Sequence, residues 1–276
     1  MDKKLHRIYT DLQLQLSAPI TLDSSTSNYV GRVLRQKKGD QIQCFDGQGT
    51  EAICSVSSSK AGRYELRVER VFNIPVRTTP KLHIAIGLLK GQAMDRAIQH
   101  STELGATDIW LLQSERSNVH LSNERLRSKS NHWLRVCVSS CEQCGESYLP
   151  AIHGPVTIEQ LFEVTTIIEK IILDPTGKPF SKQLPIKERI LFVGPEGGWS
   201  PQEKNFFTSQ RLSFFSLGER IIRAENAPTV VLALAKQAQN LLWSLIYNHS
   251  KALDLDAFAF ILTTYDQNRF SNGSTE

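Results

Sequence analysis

No stretch of these 276 residues is apolar for long enough to span a bilayer, and Met1–Asp11 has no apolar core of the signal-peptide kind. The expectation is a cytoplasmic protein. Cysteine is scarce and odd in number, five in all, which argues for free thiols over a disulfide framework. Common catalytic signatures are missing as well. There is no Gly-x-x-x-x-Gly-Lys-[Ser/Thr], no Gly-x-Gly-x-x-Gly after a strand and no Gly-x-Ser-x-Gly elbow. That disfavours an ATPase, an ordinary dinucleotide enzyme and an α/β-hydrolase. No metal-ligand pair recurs at short spacing. Cys137, Cys141 and Cys144 share a helical face, with His132 and His153 near in sequence, but small buried cysteines explain the spacing without a metal.

What is present is an ordinary globular composition, 40% hydrophobic and 22% charged, with a net charge of +4. Residues 1–72 hold eleven basic and eight acidic side chains, so most of the positive excess lies in the first quarter. A polyanionic partner and a merely solvated surface both fit that excess.

The hydrophobic rhythm divides the chain. Residues 1–72 alternate as strands at Gln41–Phe45, Glu51–Val56 and Arg63–Arg70, with a hairpin turn at Asp46–Gly49 and one short helix over Ser25–Leu34, which predicts a small barrel. Residues 73–80, bracketed by prolines, read as a linker. From Lys81 strands alternate with helices. Strands are predicted at Leu82–Leu89, Asp108–Leu112, Ile167–Leu173, Arg189–Val193 and Leu212–Leu217. Helices are predicted over Gly91–Gly105, over Asn123–Cys144 and from Asn226, the last carrying Val230, Val231, Leu234, Ala238, Leu241, Leu242 and Leu245 inward. This is an α/β pattern with a mostly parallel sheet over residues 81–248. Residues 249–276 read as a partly disordered extension.

Three predicted loops leave the carboxyl ends of strands. Leu191-Phe-Val-Gly-Pro-Glu-Gly-Gly-Trp-Ser-Pro-Gln-Glu203 runs from a strand through glycines into a helix start, with Ser200 at the N-cap, Pro201 in the first turn and Glu203 placed to complete a capping box. Alone, a tight turn is the plainer reading. Leu217-Gly-Glu-Arg-Ile-Ile-Arg-Ala-Glu-Asn-Ala227 packs two arginines and two glutamates into seven residues, a pattern that usually faces water. Leu111-Leu-Gln-Ser-Glu-Arg-Ser117 is the third. Loops converging on one sheet edge make a pocket, and backbone from two of them can enclose a flat uncharged ring.

Gly194–Gly198 followed by Leu217-Gly-x-Arg-Ile-Ile-Arg223 resembles the SPOUT methyltransferases, and within them the bacterial 16S rRNA (uracil-N3) methyltransferase (RsmE) family. Lys90–Gly105, Ser114–Ser117 and Cys141-Glu-Gln-Cys-Gly145 carry the same resemblance, as do Val33–Arg35, Gly39-Asp40 and Phe45–Gly47 toward a PUA-like RNA-binding barrel. It runs from about Leu5 to about Leu245. The chain departs from the family pattern at Asn28, Glu146, Ala224 and Asn226.

The resemblance implies a trefoil knot, a homodimer, 16S rRNA of the small subunit as partner, and S-adenosylmethionine (SAM) as cofactor without a metal. It places SAM against Leu112, Gly194, Pro195, Glu196, Gly197, Gly198, Leu217, Gly218, Arg220, Ile221 and Ile222. RNA contact would fall to Arg7, Arg32, Arg35 and Arg116. Methylating uracil N3 requires removal of its proton and stabilisation of the anion. Arg223, then Arg116, are the candidate cations. Glu225 or Glu142 is the candidate base. Structural alternatives stand beside each: Arg223 pairing with Glu225, Arg116 gripping phosphate, Glu142 bridging elements, Glu196 organising its loop. Two other functions fit the same residues: methylation of ribose 2′-OH or of tRNA, and RNA binding in ribosome assembly with little turnover.

Overall fold

Alternating strands before residue 73 and strands with apolar runs after residue 81 build two different sheets. The computed structural model of the protein describes residues 5–60, 62–76, 79–119, 123–165, 168–180 and 185–238. The predicted extension 249–276, together with Leu241, Leu242 and Leu245, lies outside the described residues.

The first sheet contains β1 (His6–Tyr9), β2 (Pro19–Thr21), β3 (Gln41–Phe45), β4 (Thr50–Lys60) and β5 (Arg63–Asn73), in the order β1-β3-β4-β5-β2. Only β1 and β3 pair parallel. Every second residue turns inward to a core that includes Ile8, Ile20, Val30, Ile42, Cys44, Cys54, Leu66 and Val68. At the β3–β4 turn, Asp46 Oδ1 accepts the amides of Gln48 and Thr50 at 2.7 and 2.9 Å. The helix expected over Ser25–Leu34 is two pieces. α1 (Ser24–Asn28) is capped by Asp23 and gives way to a single π-turn over Tyr29–Val33. β1 and β2 escaped the sequence reading because three or four residues carry too little alternation to register.

The second sheet is wholly parallel. In chain order come β6 (Leu82–Gly87), α2 (Gln92–Glu103), β7 (Asp108–Leu112), α3 (Asn123–Cys144), β8 (Ala151–Val156), α4 (Ile158–Val164), β9 (Glu169–Pro179), β10 (Arg189–Val193), α5 (Pro201–Ser209), β11 (Phe214–Ser216) and α6 (Ala227–Ala238). Their spatial order is β11-β9-β10-β6-β7-β8. Every residue of β6 and β10 is buried, the mark of strands covered on both faces. One face packs Ala85, Leu112, Phe192 and Trp199 against Ile158 and Leu161 of α4 and Phe207 of α5. On α2 the predicted inward residues Met94, Ala97, Ile98 and Ser101 are buried, while Leu104 is half-buried.

Two expectations need correction. α6 begins at Ala227, since the Asn226 and Ala227 amides still turn back to the Arg223 carbonyl. Leu234, expected inward, is 39% exposed. β8 and α4 were not foreseen, because neither β8's interrupting Gly154-Pro155 nor a seven-residue helix leaves a clear period.

The chain runs outward from β6 through β7 and β8, then crosses to β9 and returns with β10 between β9 and β6. Such a reversal of strand order opens a crevice at the carboxyl ends of the strands, where ligands bind in parallel sheets.

Candidate active site

A cavity of about 690 Å³ lies at that edge, lined by residues of β9 and β11, by the loop after β10 and by the approach to α6. Its first wall is the loop after β10. Ser200 Oγ accepts the Glu203 amide at 3.0 Å, and Glu203 Oε2 accepts the Ser200 amide at 2.7 Å, completing the capping box at the start of α5. The other oxygen of Glu203 accepts the Glu115 amide at 3.1 Å, so one buried carboxylate joins the loop after β7 to the loop after β10. Glu196 Oε1 accepts the Lys90 amide at 3.2 Å, tying the same loop to the entry of α2. Arg116 Nη1 donates to the Gly197 carbonyl at 3.1 Å. The loop lies so close to the end of β6 that a Cβ on Gly87 would stand 2.6 Å from Pro195.

The second wall is Leu217–Glu225. Gly218 sits at φ +134°, a conformation L side chains rarely adopt. Ser216 Oγ holds it there, donating to the Gly218 carbonyl at 2.8 Å and accepting its amide at 3.2 Å. The third wall is Leu173-Asp174-Pro175 of β9, anchored by Trp199 Nε1 donating to the Leu173 carbonyl at 2.8 Å. Asp174 is buried, which alone raises its carboxyl. Hydrogen bonds from Lys204 Nζ (2.7 Å) and Thr176 outweigh burial and hold it below the ordinary carboxylate range. Glu225 is also buried at the cavity wall, 3.3 Å from Arg96 Nη2 on α2.

The lining therefore combines peptide groups, apolar side chains (Ala93, Val193, Leu217, Ile222), carboxylates (Asp174, Glu196, Glu225) and the exposed cations Arg220 and Arg223.

Residues 77–236 match the model of the RNA methyltransferase domain family, and residues 22–69 that of the RNA methyltransferase PUA domain. Ribosomal RNA small subunit methyltransferase E of Synechocystis is 32% identical over 228 residues, covering 79% of this chain and 73% of the relative. The chain belongs to this RNA methyltransferase family. The Bacillus subtilis protein of the same name is 28% identical over 84% of this chain and 95% of its own length. Among solved structures, a Legionella pneumophila protein described as a methyltransferase, in complex with SAM, superposes with a TM-score of 0.80 at 30% identity, covering 86% and 98% of the two chains. Ribosomal RNA small subunit methyltransferase E of Neisseria gonorrhoeae, bound to S-adenosyl methionine, gives 0.76 at 26% identity over 85% and 98%.

The fold of this methyltransferase family brings together ten of the eleven sequence-predicted cofactor residues: Gly194, Pro195, Glu196, Gly197, Gly198, Leu217, Gly218, Arg220, Ile221 and Ile222 all line the cavity, as do Arg223 and Glu225. The eleventh, Leu112, is fully buried in the core beneath the loops, and its carbonyl accepts the Leu88 amide at 2.9 Å. Arg116 lies behind the glycine loop rather than on the lining.

Glu142 stands elsewhere. Its Oε1 accepts the Tyr9 amide at 3.0 Å, joining α3 to the first sheet, and burial raises its carboxyl against the opposing pull of the Tyr9 amide and Arg7. Arg7, expected to face RNA, is 8% exposed in its side chain. It stacks 3.8 Å above Phe45, pairs with Glu51 at 2.6 Å and donates to the Cys141 carbonyl at 2.6 Å. Arg32 and Arg35 are exposed.

Sequence reasoning missed Asp174, Trp199 and Arg96. Asp174 had a signal, an acid directly after an apolar strand aimed at the same edge. Arg96 had none, because a helical arginine looks like any solvated charge.

Cys137 and Cys141 are buried and Cys144 exposed. Among the described residues no three His, Cys, Asp or Glu side chains gather as a metal set. None of the described helices is long and apolar enough to cross a membrane.

Proposed function

We propose that this protein transfers the methyl group of SAM to N3 of a uridine in the 16S rRNA of the small ribosomal subunit, in the cytoplasm. The observation that carries the reading is the cavity built from Gly194–Gly198 and Leu217–Ile222, in a chain whose relatives include a small-subunit rRNA methyltransferase bound to S-adenosyl methionine.

The residues fit such a ligand. Gly198, at φ +65°, and Gly218 face open space where any Cβ would project, so peptide groups can approach a flat ring closely. The buried carboxylates of Asp174 and Glu225 suit the positive charge of a sulfonium or ammonium group. When bound, SAM supplies a methyl group already activated by its sulfonium, so no metal is assigned a role. Leu112 supports the loops from below.

Arg223, at the exposed rim, favours the anionic form of uracil. Glu225 receives the N3 proton; it lines the cavity, with Arg96 Nη2 3.3 Å from one of its oxygens. Arg116 shapes the glycine loop through Gly197, and Glu142 serves as a clasp between α3 and the first sheet. Arg32 and Arg35 contribute the RNA-facing charge of the PUA-like domain.

The proposed division is a PUA-like domain over 1–72, a linker over 73–80, a methyltransferase domain over 81–248 and an extension over 249–276. We assign the trefoil knot to the methyltransferase domain. The likeness of the chain to this methyltransferase family supports it. A homodimer is proposed with it, as the family resemblance implies.

The test is transfer of labelled methyl from SAM to small subunits, naked 16S rRNA and tRNA offered in parallel. Label in small-subunit RNA supports the assignment, and label confined to tRNA overturns it.

A further inference from the structure

The last turn of α3 carries a dithiol whose placement the methyl-transfer reading leaves unused. Cys141 and Cys144 are three residues apart on one face of the helix, Cys141 buried and Cys144 exposed. The same turn supplies both grips on β1. The Cys141 carbonyl accepts Arg7 Nη1 at 2.6 Å, and Glu142, between the cysteines, accepts the Tyr9 amide at 3.0 Å. The Cys141 carbonyl also closes the helix, accepting the Gly145 amide at 3.0 Å, with Gly145 at φ +81°.

We propose that Cys141 and Cys144 form a thiol–disulfide switch, oxidised by a small disulfide such as glutathione disulfide, that loosens the clasp between α3 and β1.

The geometry gives the reason. Side chains three apart on a helix hold their Cβ atoms about 5–6 Å apart. A disulfide requires about 3.8 Å. Closing the bond therefore pulls the final turn inward by on the order of 1–2 Å. Glu142 and the Cys141 carbonyl move with that turn, and hydrogen bonds of 2.6 and 3.0 Å do not survive such a shift unaltered.

The chemistry has a defined order. The hydrogen bond from Cys141 draws the Cys144 thiol down to about 7, against burial and the nearby charges of Glu146 and Glu103. Donating that bond pushes Cys141 up, and burial adds to the rise. Cys144 is thus the attacking thiolate. It attacks one sulfur of the small disulfide and expels one thiolate. Cys141 then gives up its proton, attacks the Cys144 sulfur of the mixed disulfide and expels the second thiol. Two protein thiols are oxidised and one small disulfide is reduced to two thiols. Cys44 and Cys54 are both buried in the first sheet's core and lack this access.

The switch goes beyond the methyl-transfer reading, and its test uses the free protein alone. The full chain is treated with glutathione disulfide and mapped by peptide mass, while exchange of the Tyr9 amide is followed in the reduced and oxidised forms. The expected result is loss of two hydrogens across Cys141 and Cys144, and Tyr9 exchange about tenfold faster, as loss of one hydrogen bond to a carboxylate implies. Dithiothreitol should restore both. Cys141→Ser should retain a stable glutathione adduct on Cys144, and Cys144→Ser should show unchanged Tyr9 exchange under oxidant. A wild-type protein that keeps the mixed disulfide overturns the proposal. So does an internal disulfide with Tyr9 exchange unchanged, or oxidant-dependent exchange in Cys144→Ser.

Discussion

Arg223 and Glu225 lie two residues apart at the cavity yet meet different surroundings, one exposed and the other buried beside Arg96. An exposed guanidinium at the rim can follow the charge that develops on a substrate ring. Replacing Arg223 with Ala should lower the single-turnover methylation rate by about 10²- to 10³-fold, the cost of removing one preorganised donor. Arg223→Lys should recover part of it, because the charge returns without the fork. A fall in SAM affinity with an unchanged rate would place Arg223 in cofactor binding instead. At the opposite edge of the sheet, Asp108 accepts His153 Nε2 at 2.8 Å and lies 3.3 Å from His83, which also meets Glu188 at 2.8 Å. Burial alone raises the Asp108 carboxyl, but the hydrogen bond from His153 and the nearness of His83 hold it below its ordinary value. A carboxyl depressed on folding contributes stability that is fully present above about pH 4 and is lost as the pH falls through the lower, folded value. Asp108→Asn should therefore unfold at lower urea concentration at pH 7, and its stability should fall less steeply than the wild type's below about pH 4. Equal acid slopes for both proteins would contradict this assignment.

Among the elements, loops rather than strands decide the site. The capping box at α5 was legible because Ser200, Pro201 and Glu203 occupy fixed offsets that local sequence alone sets. The strands β6, β7 and β10, apolar runs broken only by His83, Asp108 and Arg189, were legible for the same local reason. Glu203's second bond, to the Glu115 amide, was not, since those residues are 88 apart and only the fold brings them together. Leu112, set beside the cofactor by the family resemblance, has its side chain in the core and its carbonyl on the Leu88 amide. Arg7 read as surface charge, whereas Phe45, Glu51 and the Cys141 carbonyl together form a seat for it. Gly218 offers a direct test of the second wall. An Ala there must leave φ +134° or bear strain of about 1–3 kcal/mol. Gly218→Ala should weaken SAM binding in calorimetric titration by at least about tenfold, with the far-ultraviolet circular dichroism unchanged. Undiminished affinity would show that this conformation is not needed for the ligand.

For the whole molecule, the clasp between the first sheet and α3 links the parts of the chain assigned to RNA contact and to chemistry. Arg7 and Glu51 have side chains only 8% and 10% exposed, so removing one leaves the other charge buried. Arg7→Ala should cost about 3–5 kcal/mol in urea unfolding, far more than a surface ion pair would. A loss below about 1 kcal/mol would place the pair among ordinary surface contacts. The clasp also takes Arg7 out of the charge that can face RNA, together with its partner Glu51, while Arg32 and Arg35 remain exposed. What the molecule delivers to its substrate is most directly read in the product nucleoside. Small subunits from cells lacking the protein are incubated with it and SAM, and their 16S rRNA is digested and analysed by mass spectrometry. The expected product is 3-methyluridine at a single position, absent without SAM. Appearance of 2′-O-methyl nucleosides in its place, or no new methylated nucleoside at all, would contradict the assignment.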